Sequence, residues 1–421
     1  MNKKNKKKIL FVHQNFPAQY KHIVSSLSKD DFDVHTLSIS EYKDEHTTNH
    51  HYKIDKISSD NIHEWAVEFE SKMIRAEAAS KKAKEIKNQG FYPDLIIAHP
   101  GWGETFFFKE IWPDTKILSY AEFYYKTVDC DIDFDIDFLE NELERNFEEF
   151  HEYNKFKLSA RNSAFVYLYE MSDYLVTPTN FQKNLLPTTF NNKVEVIHDG
   201  IDTDILKPND SASIRIGNKK FTKSDNVITY VSRSLDPYRG FHIFMRSIPK
   251  ILKENPTANI IIVGNAETNG YGAPPPNNKK FKDMFLSEIE NEIDQERLFF
   301  VGQVPYDVYI NIIQISTAHI YLTYPFVLSW SMLEAMSCGA LIIGSDTAPV
   351  TEVISDNKNG LLVNFFDSDE IANKVNEVIN KPNKYNKIRD KARETILNFY
   401  DLKTVCLPKH LDLIKKVLEL W

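Results

Sequence analysis

The sequence predicts an α/β protein of two doubly wound, parallel-sheet domains, and three observations lead there. At 421 residues the chain is too long for one ordinary core. Short apolar runs alternate with helical patterns nearly throughout, as parallel strands covered by helices require. The runs fall into two sets, separated by a polar stretch from Lys207 to Asp225 that holds Pro208 and Gly217.

In the first set the expected strands are KILFVHQ (8–14), DVHTLSI (33–39), DLIIAH (94–99), KILSYAEF (116–123), YLVTPT (174–179) and VEVIHDGI (194–201). A long helical stretch, about 61–87, lies between the second and third. The second set is NVITYVS (226–232), ANIIIVGN (258–265), RLFFVGQV (297–304), HIYLTY (319–324), ALIIGSD (340–346) and GLLV (360–363). The boundaries follow: a first domain over 1–206 with an acidic and helical insertion at about 126–172, and a second over 207–400. Residues 401–421 form an amphipathic helix (Val405, Leu411, Leu413, Ile414, Val417, Leu418) around Pro408, expected to pack back on the first domain. Ligands of such sheets bind at the carboxyl ends of the strands.

Composition narrows the function. A net charge of −9 argues against nucleic acid as a partner. Cys130, Cys338 and Cys406 are odd in number and widely spaced, giving neither a disulfide framework nor a C-x-x-C metal site, which points to a reducing cytoplasm. Lys3, Lys4, Lys6, Lys7 and Lys8 precede only Ile-Leu-Phe-Val, too short an apolar run for a signal peptide. They read as a solvated tail. The sharper alternative is peripheral contact with the inner membrane face, aided by Lys72, Arg75, Lys81, Lys82, Lys84 and Lys87.

Residues 129–137 alternate Asp129, Asp131, Asp133, Asp135 and Asp137 with other residues. Asp-x-Asp is a metal–diphosphate signature in one class of sugar-transferring enzymes. The alternation more simply gives an extended, solvated acidic edge, and no metal site is expected.

Two segments carry chemistry. In VSRSLDPYRGF (231–241) a strand ends at Ser232, a loop holds Arg233 and Arg239, and Gly240 opens a helix. Two guanidiniums beside a helix N-terminus suit a phosphate-bearing ligand, although surface arginines paired with Asp236 would look alike in sequence. In YPFVLSWSMLEAMSCGALIIGSD (324–346) a helix runs from about Trp330 to Cys338, and Gly339 stops it. Phe326, Val327, Leu328 and Ser329 precede its N-terminus, where backbone N–H groups can hold ligand oxygens. Glu334 can accept both hydroxyls of a ribose. It can equally close a capping box with Ser331. In the first domain, His13 and the segment His99-Pro100-Gly101-Trp102-Gly103-Glu104 lie at strand ends, and Tyr271 opens a stiff Gly- and Pro-rich loop in the second.

These segments together resemble the family-four retaining glycosyltransferases, whose GT-B fold has two facing Rossmann-like domains. The resemblance covers nearly the whole chain and is strongest from Val194 to Val363. Arg233 and Arg239 fall on the Arg and Lys that hold the donor diphosphate. LEAMSCGALIIGSD falls on the segment after the family's Glu-x7-Glu motif. The resemblance implies a nucleotide-binding second domain and an acceptor-side first domain. It implies donor contacts from Ser232, Val304, Phe326, Val327, Leu328, Ser329 and Glu334, and acceptor or cleft positions at His13, His99, Gly101, Trp102 and Tyr271. It also implies sugar transfer from a nucleoside-diphosphate donor to a glycan, lipid-linked or protein hydroxyl, with no metal or other cofactor. Three positions depart from the pattern. Phe326 stands where the first Glu belongs, and HQNFPAQY (13–20) replaces a glycine-rich loop. The family's histidine after strand 116–123 is missing, which leaves Glu122 as the nearest candidate catalytic group beside Arg233 and Arg239. A bacterial subgroup with FPxQ, HPGWGE and YPFVLSWS is similar in these departures. The rival functions are a binding-only member of the fold, a sugar-nucleotide epimerase and a phosphorylase. A dinucleotide oxidoreductase lacks its G-x-G-x-x-G.

Overall fold

The structure is a computed structural model that describes residues 6–27, 31–144, 146–267, 270–275, 277 and 279–419. Lys3 and Lys4, named above, lie outside the described residues. The chain divides into two compact units.

The first unit comprises residues up to Thr127, Glu148–Asp199, and the chain from Cys406 on. Its strands are β1 (Lys7–Val12), β2 (Phe32–Ser38), β3 (Thr47–His51), β4 (Leu95–Ala98), β5 (Lys116–Tyr120), β6 (Tyr174–Thr177) and β7 (Val194–Val196), in the order β3-β2-β1-β4-β5-β6-β7. Every pairing is parallel. Both faces are covered, so β1 reads as an unbroken apolar run, yet its side chains still alternate between faces. Leu10 and Val12 pack with Ala79, Ala83 and Ile86 of the helix Val67–Asn88. Ile9 and Phe11 share the opposite face with Leu413, Ile414 and Val417 of the helix Leu407–Glu419. The C-terminal helix therefore completes the core of this unit, with Pro408 in its first turn.

The second unit comprises Val128–Phe147 and Gly200–Val405. Its main strands are β10 (Val227–Ser234), β11 (Asn259–Asn265), β12 (Leu298–Gly302), β13 (Ala318–Tyr321), β14 (Ile342–Ser345) and β15 (Leu361–Val363), all parallel, in the order β12-β11-β10-β13-β14-β15. The polar stretch read as a linker contains an antiparallel hairpin, β8 (Ser213–Ile216) and β9 (Lys219–Thr222), turning at Gly217. Ile214 and Phe221 anchor it on Val227 and Ile261. The division accordingly falls at Asp199/Gly200, not at 206/207.

The acidic insertion is divided as well. The helix Phe147–Met171 lies almost wholly in the first unit, but 128–147 belongs to the second. The expected solvated edge is in fact a pinned strap. Phe134 packs on Tyr324 and Phe365, with 5.0 Å between ring centroids in each case, and Phe138 packs on His242 and Phe285. The Asp131 carboxylate accepts from the Tyr238 hydroxyl at 2.9 Å. Asp135 accepts from Tyr324 at 2.6 Å and from His242 Nε2 at 3.0 Å. Bends and a turn lead into the short helix Ile136–Asn141, with Phe138 buried and Phe134 half-buried on the second unit, and the carboxylates of Asp131 and Asp135 accept from donors there.

The basic helix face is also less free than its sequence suggests. Lys72 is buried, and Lys81 and Lys82 pair with Glu77 and Glu85. Among the described residues no helix is long and apolar enough to cross a membrane.

Candidate functional site

In the second unit β10 ends at Ser234, and Pro237–Arg239 makes a single tight turn. Gly240, at φ +65°, then opens the helix Phe241–Glu254. A side chain at Gly240 would meet Leu322 Cβ at 2.4 Å, so the loop requires glycine for both conformation and space.

The two arginines differ. Arg233 is exposed, whereas Arg239 is 8% exposed. Arg239 Nη1 donates to Thr323 Oγ1 and to the Val327 carbonyl, both at 2.8 Å. Its guanidinium carbon stands 5.7 Å from the ring centres of both Tyr271 and Phe326. Anchored at one nitrogen and walled by rings, this cation keeps its fork geometry while its other nitrogens have no protein partner among the described residues. Asp236, the neighbour that could have neutralised it, is fully buried. Burial pushes its carboxyl up to about 7 against the pull of Arg239. The reading of two surface arginines paired with Asp236 therefore does not describe this loop.

The structure brings most of the expected donor residues to this edge of the sheet. Phe326 meets Tyr238 and Tyr271 edge-on, at 5.5 and 4.9 Å. Tyr271, read as an acceptor or cleft position on a second-domain loop, lies beside Arg239 and Phe326. Val327 contributes its carbonyl. Leu328 is buried in the core, and Val304, just beyond β12, packs against the same cluster. Ser232 spends its hydroxyl on the Ser234 carbonyl at 2.6 Å. Ser329 caps the helix Trp330–Ser337, accepting from the Ser331 N–H, and its own N–H is held by Tyr321 at 2.8 Å.

With Ser329 as the cap, Glu334 closes no capping box. Its carboxylate accepts instead from Tyr306 at 2.9 Å and Tyr309 at 2.5 Å. Burial pushes this carboxyl up, and the two phenols act in the opposite direction. Neither tyrosine was identified from sequence. Their spacing of three on the helix Tyr306–Gln314 is the one signal, and it also fits ordinary packing.

In the first unit a second polar group gathers at the carboxyl ends of β1, β4 and β5. The His13 and His99 rings meet edge-to-face at 5.3 Å. His99 Nδ1 accepts from the Gly101 N–H at 3.2 Å, which leaves the proton on Nε2, 3.4 Å from the Glu122 carboxylate. Burial, reinforced by His99, lowers His13 to about 3, so it is a neutral imidazole at physiological pH. Trp102, Glu122, Phe165 and Arg161 line a small cavity beside His99. Glu104 is not at its mouth: it is fully buried and accepts from Tyr52 at 3.0 Å. In place of a glycine-rich loop, Ala18 takes the left-handed conformation at φ +43°. Among the described residues no three His, Cys, Asp or Glu side chains are grouped to hold a metal ion.

Comparison with known proteins agrees with this architecture. The family model for the glycosyl transferase family 4 group matches residues 33–206, and that for glycosyl transferases group 1 matches 214–395. An uncharacterized glycosyltransferase of Methanocaldococcus jannaschii is 27% identical over 224 residues, 51% of this chain and 52% of that protein. A D-inositol 3-phosphate glycosyltransferase of a Mycobacterium species is 19% identical over 213 residues, 50% of this chain and 45% of that one. The chain thus spans about half the length of the curated relatives it matches. Among solved structures, sucrose-phosphate synthase from Thermosynechococcus elongatus superposes with a TM-score of 0.73 at 13% identity, covering 98% of this chain and 99% of that one. Anabaena HepE in complex with UDP and glucose superposes at 0.67 with 15% identity, covering 97% and 100%. At these identities the likeness speaks for the fold. With two family models taking in most of its length, the chain belongs to the family 4, group 1 glycosyltransferases of the GT-B fold.

Proposed function

We propose that the protein transfers a glycosyl group from a nucleoside-diphosphate sugar to a hydroxyl acceptor, with retention of configuration and without a metal. The observation that carries this reading is Arg239, a buried guanidinium without a carboxylate hydrogen-bonded to it, fixed at the carboxyl edge of β10. A cation held in place before reaction gains most when charge grows on a departing diphosphate, since it need not reorganise. Arg233, exposed at the end of β10, adds charge with less precision. The ribose is assigned to Glu334, which no longer has a competing role as a helix cap. In the first unit His99 and Glu122 form the acceptor-side pair. Glu122 holds His99 in one tautomer, and the leaving phosphate takes the acceptor proton, as the family resemblance implies.

One observation favours a second reading. Phe326 occupies the position of the family's first motif acid and is 5% exposed, packed among aromatic rings. A binding-only member of the fold would tolerate that exchange. Donor turnover separates the two. The enzyme releases nucleoside diphosphate from one donor sugar of a panel and joins the sugar to an acceptor, whereas a binding protein shows affinity without release. An epimerase would convert the donor with no acceptor present.

A further inference from the structure

Glu334 is 9% exposed, and its two oxygens are served one each by the phenols of Tyr306 and Tyr309. The tyrosines occupy the first and fourth positions of one helix, with ring centroids 5.7 Å apart, so they present a matched pair of donors on one face. A carboxylate oxygen accepts two hydrogen bonds, so one phenol on each leaves one acceptor position on each. That remainder, two acceptor positions on a planar group that cannot rotate without breaking both bonds, matches a vicinal diol. Tyr309 is buried, whereas Tyr306 is 53% exposed, which places solvent access on the Tyr306 side.

We infer that Tyr306 and Tyr309 are positioning residues of the donor site, orienting the Glu334 carboxylate to receive the 2′- and 3′-hydroxyls of a nucleoside diphosphate. The inference rests on the reading of Glu334 as the ribose acceptor. A second consequence concerns charge. Burial pushes the Glu334 carboxyl up, and the two phenols are what opposes it. Among the other groups nearby, Cys338 on the same helix has its thiol pushed up to about 12 by burial and by Glu334, while Arg393 acts on it in the opposite sense. Asp202 reaches Tyr306. Among the described residues, burial and the two phenols are what act on Glu334 itself. Removing a phenol therefore favours the protonated carboxyl, which donates from one oxygen and loses an acceptor position. Nucleotide affinity should then fall as pH falls.

The test is calorimetric titration of wild type, Tyr306→Phe, Tyr309→Phe and Glu334→Ala with UDP, GDP and ADP and with their 2′,3′-dideoxy forms, at mildly alkaline and mildly acidic pH. Wild type should prefer one ribonucleotide over its dideoxy form. Tyr306→Phe should lose about tenfold in affinity for that ribonucleotide, the scale of one hydrogen bond to a charged group. The loss should deepen at acidic pH, with dideoxy affinity and melting temperature unchanged. Because Tyr309 is buried, Tyr306→Phe is the decisive variant if Tyr309→Phe folds poorly. Wild-type affinity and pH dependence in Tyr306→Phe, with discrimination lost in Glu334→Ala, overturns the positioning role and leaves the ribose reading intact. Discrimination that survives in Glu334→Ala, or is absent from wild type, overturns both.

Discussion

At the scale of single residues, burial separates two arginines that the sequence presents as equivalents. Arg233 is the penultimate residue of β10 and Arg239 lies in the turn after it, and Arg239 is the one anchored, by Thr323 and the Val327 carbonyl. Arg239→Ala should lower kcat by about 10²–10³-fold, the cost of removing one preorganised donor to developing charge. Arg233→Ala should cost roughly tenfold or less, because an exposed charge is screened by solvent. Steady-state assays of the two variants against wild type check the order, and equal losses would contradict it. Arg239→Lys should behave more like alanine than like wild type, since an ammonium lacks the fork that reaches two acceptors and a ligand together. The location of both arginines and of Glu334 was legible in sequence from strand, loop and helix signals. Their partners were not. Whether Glu334 caps its own helix or turns to Tyr306 and Tyr309 depends on where the helix Tyr306–Gln314 lies, which local pattern does not encode.

Among the elements, the strap 128–147 departs from its sequence pattern in both conformation and environment. The alternation of acid and apolar residues gave no extended segment: bends and a turn lead into the short helix Ile136–Asn141, capped by Asp135, on a partner surface from distant chain that includes Tyr238, His242, Tyr324 and Phe365. Burial alone would push the Asp135 carboxyl up, yet the hydrogen bond and charge of His242, with Tyr324 and the Phe138 N–H, outweigh it and hold it below its usual value. A carboxyl depressed on folding stabilises the fold above its unfolded pKa, and that contribution disappears as pH falls through the folded value. Asp135→Asn should therefore destabilise by roughly 3 kcal/mol near neutral pH, as for a broken buried pair. The gap between variant and wild-type melting temperatures should close on acidification toward the carboxylate range. A gap independent of pH would show that Asp135 acts through packing alone. The hairpin β8–β9 and the edge strand β3 escaped the sequence for a related reason. TTNHH in β3 carries no apolar alternation, and the hairpin turns a small apolar set, Ile214, Ile216 and Phe221, toward the core amid polar chain.

For the whole molecule, two parallel sheets were legible because strands buried on both faces are apolar throughout and easily seen. The division between units was not, because the chain crosses between them more than once: 128–147 and 200–405 fold together, and the helix Leu407–Glu419 returns to the first sheet. At this scale the proposed reading is an enzyme whose diphosphate site is built from protein cations alone. With Arg239 and a helix N-terminus at one sheet edge, added magnesium or manganese should change the rate little, and excess EDTA should leave it intact. The most direct test is release of nucleoside diphosphate from a panel of nucleotide sugars in excess EDTA, wild type against Arg239→Ala. Release from one donor by wild type, with a loss of about 10²–10³-fold in the variant, is the expected outcome. Release that stops with chelator and returns with a divalent ion, or that proceeds equally in both proteins, would contradict it.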